Sequence, residues 1–290
     1  MGKEYPKWLV GCGVGCLAVL VVAFILGIGG FLAMRKVAGG FQEAQKAVSR
    51  VESEFGSPEG YSPEPDGRIP ADRMEAFLAV RDATSSVRAN LGTRVEELEA
   101  MSGDGAPRNK SGLQKFLTIM RSGVGTIPRI AEFERNRADA LTANRMGLGE
   151  YWYIYTLAYY SSAKKDPGDG PKRVHSGDNE NIRIDGHTDP QEIREARRSA
   201  MSRRVDRLFR RILENAVKDS KSAEKSPWIQ AVEKELTALE EDRDRIPWAD
   251  GLPPPIDESL RPFREKLDQS YDPVMNPLEF IEFGHHGDQW

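Results

Sequence analysis

The distribution of apolar residues divides the chain into two unlike parts. Residues 8–34 contain no Asp, Glu, Lys or Arg, and most of them are apolar. A helix rises about 1.5 Å per residue, so about 20 apolar residues cross a hydrocarbon core of roughly 30 Å. The pattern predicts a transmembrane helix over 8–34, preceded by a short N-terminal tail, 1–7. A cleaved secretory signal is the alternative, but its apolar core usually has only about 7–15 residues.

After this run, apolar residues recur at the three-and-four spacing of amphipathic helices, and strand-like alternation is scarce. We predict a juxtamembrane helix with a Pro/Gly linker over 35–69, a helical domain over 70–270 and a C-terminal tail, 271–290, docked on the bundle. One long helix is expected from Pro70 to Met101, and a later helix should break or kink near Pro128. Residues 164–188 form a long polar loop.

Two helix starts carry strong capping signals. Asp189-Pro190 and Ser226-Pro227 each place a capping side chain before a proline that suits the first helical turn. Together with the apolar stripes, they predict an all-α fold. It would consist of a single N-terminal transmembrane helix followed by a soluble bundle of about six to eight helices.

The segment 150–160 is the most unusual stretch, because tyrosine and tryptophan are concentrated there. A helix that is apolar on every side is normally buried on every side, so one interpretation is the central helix of the bundle. The alternative is a small-ligand or sensor pocket with aromatic walls and Glu150 as a polar anchor. Its candidate residues are Glu150, Tyr151, Trp152, Tyr155 and Tyr159.

Small residues recur at a spacing of four within the predicted span. Such spacing lets helix backbones approach closely in a membrane, so it indicates a homo-oligomer formed through this face. The alternative is that glycine is simply common in membrane helices. The candidate self-association residues are Gly11, Gly15, Ala23 and Gly27.

Charge adds little to this interpretation. The chain has 41 Lys and Arg against 45 Asp and Glu, a formal net charge of −4. An Arg-rich helix around residues 194–211 also carries acidic residues at pairing distance, such as Asp206 with Arg210. We therefore expect a solvated, ion-paired face and no binding to nucleic acid. Cys12 and Cys16 both lie in the predicted span, so the rest of the chain can form no internal disulfide.

Motifs for cofactors and metals are weak. An EF-hand-like pattern over 181–192 has Arg183 where an oxygen ligand belongs, and the four histidines form no spaced ligand set. The sequence shows no P-loop, dinucleotide fingerprint or nucleophile elbow. We predict no cofactor and no metal, and catalysis is not favoured.

These observations predict a single-pass membrane protein of the cell envelope that binds or scaffolds a partner, with the bilayer contacted through 8–34. A hydrolase with dispersed acid–base residues is a further alternative. Basic residues flank both ends of the run, and the short basic tail is typical of a signal anchor. We expect the large domain on the extracytoplasmic side.

Overall fold

The computed structural model describes residues 39–40, 42–102, 112–172, 174–176, 182–184, 189–219 and 226–280, with side chains described outside 98–127 and 173–188. The predicted span 8–34 lies outside these residues, and so do Gly11, Gly15, Ala23 and Gly27. Among the described helices, none is both long enough and apolar enough to cross a bilayer.

Helices form most of the described chain, which confirms the prediction of a helical bundle. The first helix, α1, covers 42–55. It is followed by α2 (Ala71–Ala83), α3 (Ser85–Ser102), α4 (Gly112–Ala143) and α5 (Leu148–Tyr155), which continues as a π-helical segment, Thr156–Ser162. The later helices are α6 (Pro190–Asp219), α7 (Pro227–Glu241), α8 (Pro254–Leu260) and α9 (Arg264–Ser270). Short 3₁₀ turns occupy Pro58–Gly60, Arg261–Phe263 and Asn276–Phe280.

Two helix boundaries differ from the sequence prediction. The helix expected from Pro70 to Met101 is interrupted at Thr84, whose hydroxyl donates to the carbonyl oxygens of Val80 and Arg81 at 2.9 and 3.2 Å. The break expected near Pro128 is absent, because α4 continues through it. One proline removes a single N–H donor, and packing against α2 and α3 supports the helix on both sides.

The predicted polar loop 164–188 contains a short hairpin that the sequence analysis did not foresee. Strands β1 (Val174–Ser176) and β2 (Ile182–Ile184) pair antiparallel, with His175 opposite Arg183. Strands of three residues are too short for apolar alternation to be visible in the sequence.

The main core is built around α5 and its π-helical continuation, in which every residue from Tyr151 to Ser161 is buried. The apolar stripe of α6 packs against this helix through Val205, Phe209 and Ile212, and α7 contributes Val232 and Leu239. Both predicted caps are present. Asp189 Oδ1 accepts from the Gln191 N–H at 2.9 Å, and Ser226 Oγ accepts from the Ile229 N–H at 3.2 Å.

The N-terminal part of the described chain belongs to the same core. Val48 and Val51 of α1 and the more distant Ile69 are buried in it. The turn Pro58–Gly60 lies against the start of α5 so closely that a methyl group on Gly149 would overlap the Pro58 carbonyl. Residues 42–69 therefore pack as an integral layer of the bundle.

Candidate functional site

The aromatic residues singled out in the sequence lie at the centre of the molecule. Tyr151, Trp152, Tyr155 and Tyr159 are each at most 1% exposed, so the predicted burial of this helix is confirmed. Glu150, at the start of α5, lies nearer the surface and accepts from Arg73 Nε and Nη2 at 2.7 and 2.5 Å. The role of these five residues in ligand binding stays a prediction, since a ligand would have to displace this packing.

The 3₁₀ turn Asn276–Phe280 supplies hydrogen-bond partners for most of these aromatic side chains. The Tyr151 hydroxyl donates to Glu279 Oε2 at 2.8 Å, and Trp152 Nε1 donates to the Glu279 carbonyl at 2.6 Å. The hydroxyls of Tyr155 and Tyr160 both donate to Asn276 Oδ1, at 3.0 and 2.7 Å. One short turn near the end of the described chain thus holds four aromatic side chains of α5 and its π-helical continuation.

A cluster of charged side chains is buried beside this turn. Three arginines, from α2, α3 and α4, and two glutamates, from α4 and the 3₁₀ turn, are all less than 5% exposed. Arg81 Nη1 donates to Glu279 Oε1, and Arg137 Nη2 donates to Glu134 Oε2 at 2.5 Å. Arg88 donates to the backbone carbonyls of Ser270 and Arg81. The cluster consists of Arg81, Arg88, Glu134, Arg137 and Glu279.

The two carboxyl groups of the cluster differ in protonation. Burial raises the pKa of Glu134 to about 8; Arg137 opposes this shift and Glu279 adds to it. Burial also acts to raise the pKa of Glu279, but the neighbouring Arg81, Arg88 and Arg137 outweigh it and leave the pKa below its ordinary value. At neutral pH Glu279 is therefore a carboxylate, whereas most of Glu134 holds its proton. The buried cluster then has an excess of positive charge.

A cavity of about 10 Å³ adjoins the Glu134–Arg137 pair, and Val48 and Leu148 are among its walls. Glu134 Oε1 is buried and has no hydrogen-bond partner among the described residues. A space of this size is about what one water molecule needs. The cavity is too small for an organic ligand.

A much larger groove, about 490 Å³ in volume, lies on the opposite flank of the cluster. It runs between the α2–α3 junction on one side and α9 with residues 271–273 on the other. None of the five aromatic-site candidates lines it, although Tyr271 of its wall packs against Tyr159 with ring centroids 5.1 Å apart. Its lining includes Arg81, Ser85, Arg88, Lys266, Tyr271 and Asp272.

The charged cluster was missed by the sequence analysis, although a signal existed. Arg81 and Arg88 occupy positions on the same helical stripe as Phe77 and Leu91, at spacings of four, seven and three residues. A cation at a core position of an amphipathic helix indicates a buried partner. The partner Glu279 could not be identified from spacing, because it lies 198 positions beyond Arg81.

Among the residues with described side chains, no group of three or more His, Cys, Asp or Glu is placed to hold a metal ion. Residues 285 and 286, both histidines, lie outside the described chain. Comparison with protein-family models, with curated proteins and with solved structures found no match to this chain. The geometry of the chain itself is therefore the basis for the function proposed below.

Proposed function

We propose that the protein is a single-pass membrane protein whose helical domain binds a partner or ligand at the membrane surface. This proposal rests on two features that follow each other along the chain. The charge-free run 8–34 is followed by α1, one face of which is buried in the main core through Val48 and Val51. An anchor in that run would hold the bundle close to the bilayer.

The binding part of the proposal is supported by the groove. Its volume of about 490 Å³ is within the usual range of roughly 300–1,000 Å³ for small-molecule sites. The surrounding elements, α2, α3 and α9, are tied together by Arg81 and Arg88, which both donate to the Ser270 carbonyl. These bonds hold the three helices that border the groove in place.

Membrane anchorage can be tested by alkaline carbonate extraction of membranes that contain the full chain. Val21→Arg with Val22→Arg places two cations at the centre of the run, each unfavourable by about 2.5–3.5 kcal/mol in a bilayer. Val21→Leu with Val22→Leu is the matched apolar control. We expect the wild type and the control to stay in the membrane pellet and the arginine variant to be released. Release of the wild type would contradict the proposal.

Orientation calls for a reporter enzyme that is active only outside the cytoplasm. It should be fused after Trp290, because residues 271–280 pack in the core and an earlier fusion would disturb them. We expect activity, which would place the domain on the extracytoplasmic side. A cytoplasmic fluorescent reporter at the same site is the complementary control.

Self-association of the span is the remaining part of the proposal. Gly11→Leu with Gly15→Leu should weaken dimerisation in a membrane two-hybrid assay, because bulky side chains separate the two backbones. Gly13→Leu is the matched control, since residue 13 falls on another face of the predicted helix. Equal association of the two variants would contradict a role for this face.

A further inference from the structure

A buried arginine without an ion pair among the described residues lies in the wall of the groove between the α2–α3 junction and α9. Arg81 and Arg88 line the groove and are nevertheless 1% and 4% exposed. Arg81 has Glu279 as its counter-ion, whereas Arg88 forms no ion pair within the described part of the chain. Its partners are the Ser270 carbonyl, at 3.1 Å, and the Arg81 carbonyl. Carbonyl oxygens satisfy donors but carry no net charge to offset a buried guanidinium.

The two arginines also retain unused donors. The Nε atoms of Arg81 and Arg88 are buried and have no hydrogen-bond partner among the described residues. The Nε and an Nη of a guanidinium form a planar edge that matches a carboxylate or phosphate with two parallel hydrogen bonds. A buried donor without a partner is unfavourable, so a ligand that accepts from it removes this penalty.

Three further charged residues line the groove, one lysine and two aspartates. Lys266 is exposed on the rim and adds a third cation. Asp82 and Asp272 are the two lining acids, and Asp272 Oδ1 already accepts from the N–H groups of Val274 and Met275. When Glu279, the counter-ion of Arg81, is included, cations and acids at the groove are equal in number. An anion is favoured locally, because Arg88 is the lining cation that is buried without an ion pair among the described residues.

We propose that this groove binds a small solute carrying a carboxylate or phosphate group, with Arg88 as the principal anion-binding residue and Lys266 at the rim. The inference rests on the binding part of the proposed function and names the ligand class of that site. Because the Nε atoms are covered, the oxyanion enters with a rotation of the Arg88 side chain. The carboxylate or phosphate then takes the place of a backbone carbonyl as an acceptor of an Arg88 hydrogen bond.

The test is calorimetric titration of the full chain in nanodiscs of neutral phosphatidylcholine, with inorganic phosphate and with succinate as separate probes. Phosphatidylcholine carries no net charge, because its phosphate is balanced by choline, so the membrane does not add a net anionic ligand. Chloride is the competing anion at matched ionic strength, which separates a specific site from general screening. We expect saturable binding of at least one probe and no comparable effect of chloride.

Two adjacent serines provide a matched pair of variants. Ser85 lines the groove and Ser86 does not, although both are exposed. Both lie in the first turn of α3, where an acidic side chain stabilises a helix, so an aspartate is tolerated at either position. Ser85→Asp places a carboxylate over the site and should weaken anion binding by about tenfold or more, whereas Ser86→Asp should leave it within about twofold. Equal binding by the two variants overturns the proposal.

Arg88→Gln removes the principal charge, and Arg94→Gln on the exposed surface of α3 is its control. We expect loss of binding in the first and retention in the second. If Arg88→Gln fails to fold, the serine pair decides. Wild-type chain that binds neither probe overturns the ligand class. It leaves the proposed membrane anchorage intact, because carbonate extraction measures that property separately.

Discussion

Arg81 on α2 donates to the carboxylate of Glu279 in the turn Asn276–Phe280, and both side chains are 1% exposed. The pair joins residues 198 positions apart and lies under the rings of Tyr155 and Tyr159, whose centroids are 5.4 and 5.5 Å from the Arg81 guanidinium carbon. Arg88 and Arg137 also lower the pKa of Glu279. One carboxylate thus offsets much of the charge buried in the bundle.

Glu279→Gln should lower the free energy of unfolding by about 3–5 kcal/mol, because it leaves the Arg81 guanidinium buried without its counter-charge. The measurement is urea unfolding of the full chain in neutral detergent, followed by circular dichroism. Glu258→Gln is the control, since Glu258 pairs with Arg68 at 3.2 Å on the exposed surface and should contribute less than about 1 kcal/mol. Similar losses in the two variants would show that the buried pair is not a stability determinant.

Glu134 predicts a pH dependence of stability. An unfolded glutamate titrates near 4.5, and burial raises the folded pKa to about 8. Between these values the folded state holds a proton that the unfolded state has released, so this group's contribution to stability falls as pH rises from about 4.5 to about 8. It is fully present below that window and lost above it.

Glu134→Gln cannot ionise and should therefore lose this slope. Melting temperatures of the wild type and the variant, measured between pH 5 and 9, should diverge, with the variant gaining relative stability toward the alkaline end. Glu132→Gln, on the more exposed surface of the same helix, is the control and should follow the wild type. Parallel curves for Glu134→Gln and the wild type would contradict the raised pKa.

Two tyrosines of α5 provide a matched comparison. The Tyr155 hydroxyl donates to Asn276 at 3.0 Å, whereas the Tyr153 hydroxyl is buried with no partner among the described residues. Tyr155→Phe should destabilise the protein by about 1 kcal/mol, and Tyr153→Phe should be neutral or stabilising. Thermal unfolding distinguishes them, and a larger loss for Tyr153→Phe would refute the assignment of partners.

Two glycines should respond in opposite directions to alanine. At Gly149 a methyl group would overlap the Pro58 backbone, so Gly149→Ala should destabilise the protein by about 1–3 kcal/mol. At Gly92 in α3 a methyl group meets no atom within 4 Å. Gly92→Ala should stabilise the protein by up to about 1 kcal/mol through helix propensity. Denaturant midpoints measure both changes, and the same sign for both would count against the close packing of residue 58 on α5.

Local signals in the sequence predicted the local structure well. The caps at Asp189 and Ser226 and the burial of the aromatic helix are present. The predicted Asp206–Arg210 pair forms at 2.9 Å, but Asp206 is only 2% exposed, so the expectation of a solvated face is wrong at this position. Each depends on residues only a few positions apart, where propensity and spacing carry the information.

The candidate site depends on contacts that spacing does not reveal. The sequence shows Arg81 and Arg88 on an apolar stripe, but nothing local indicates that Glu279 would meet one of them or that α9 would border a groove beside the other. The interruption at Thr84 and the π-helical form of Thr156–Ser162 were likewise not predicted from spacing. Such features become visible only when the distant segments are placed together.

The position of the turn Asn276–Phe280 has a consequence for how the protein is made. Every earlier element can form while the chain is being synthesised, but the central layer cannot close until residue 280 has left the ribosome. Until then Tyr151, Tyr155 and Arg81 lack their partners in this turn, and partly made chains of this kind are prone to aggregate. A chain truncated before residue 276 would leave its core permanently open, and cellular proteases would be expected to remove it.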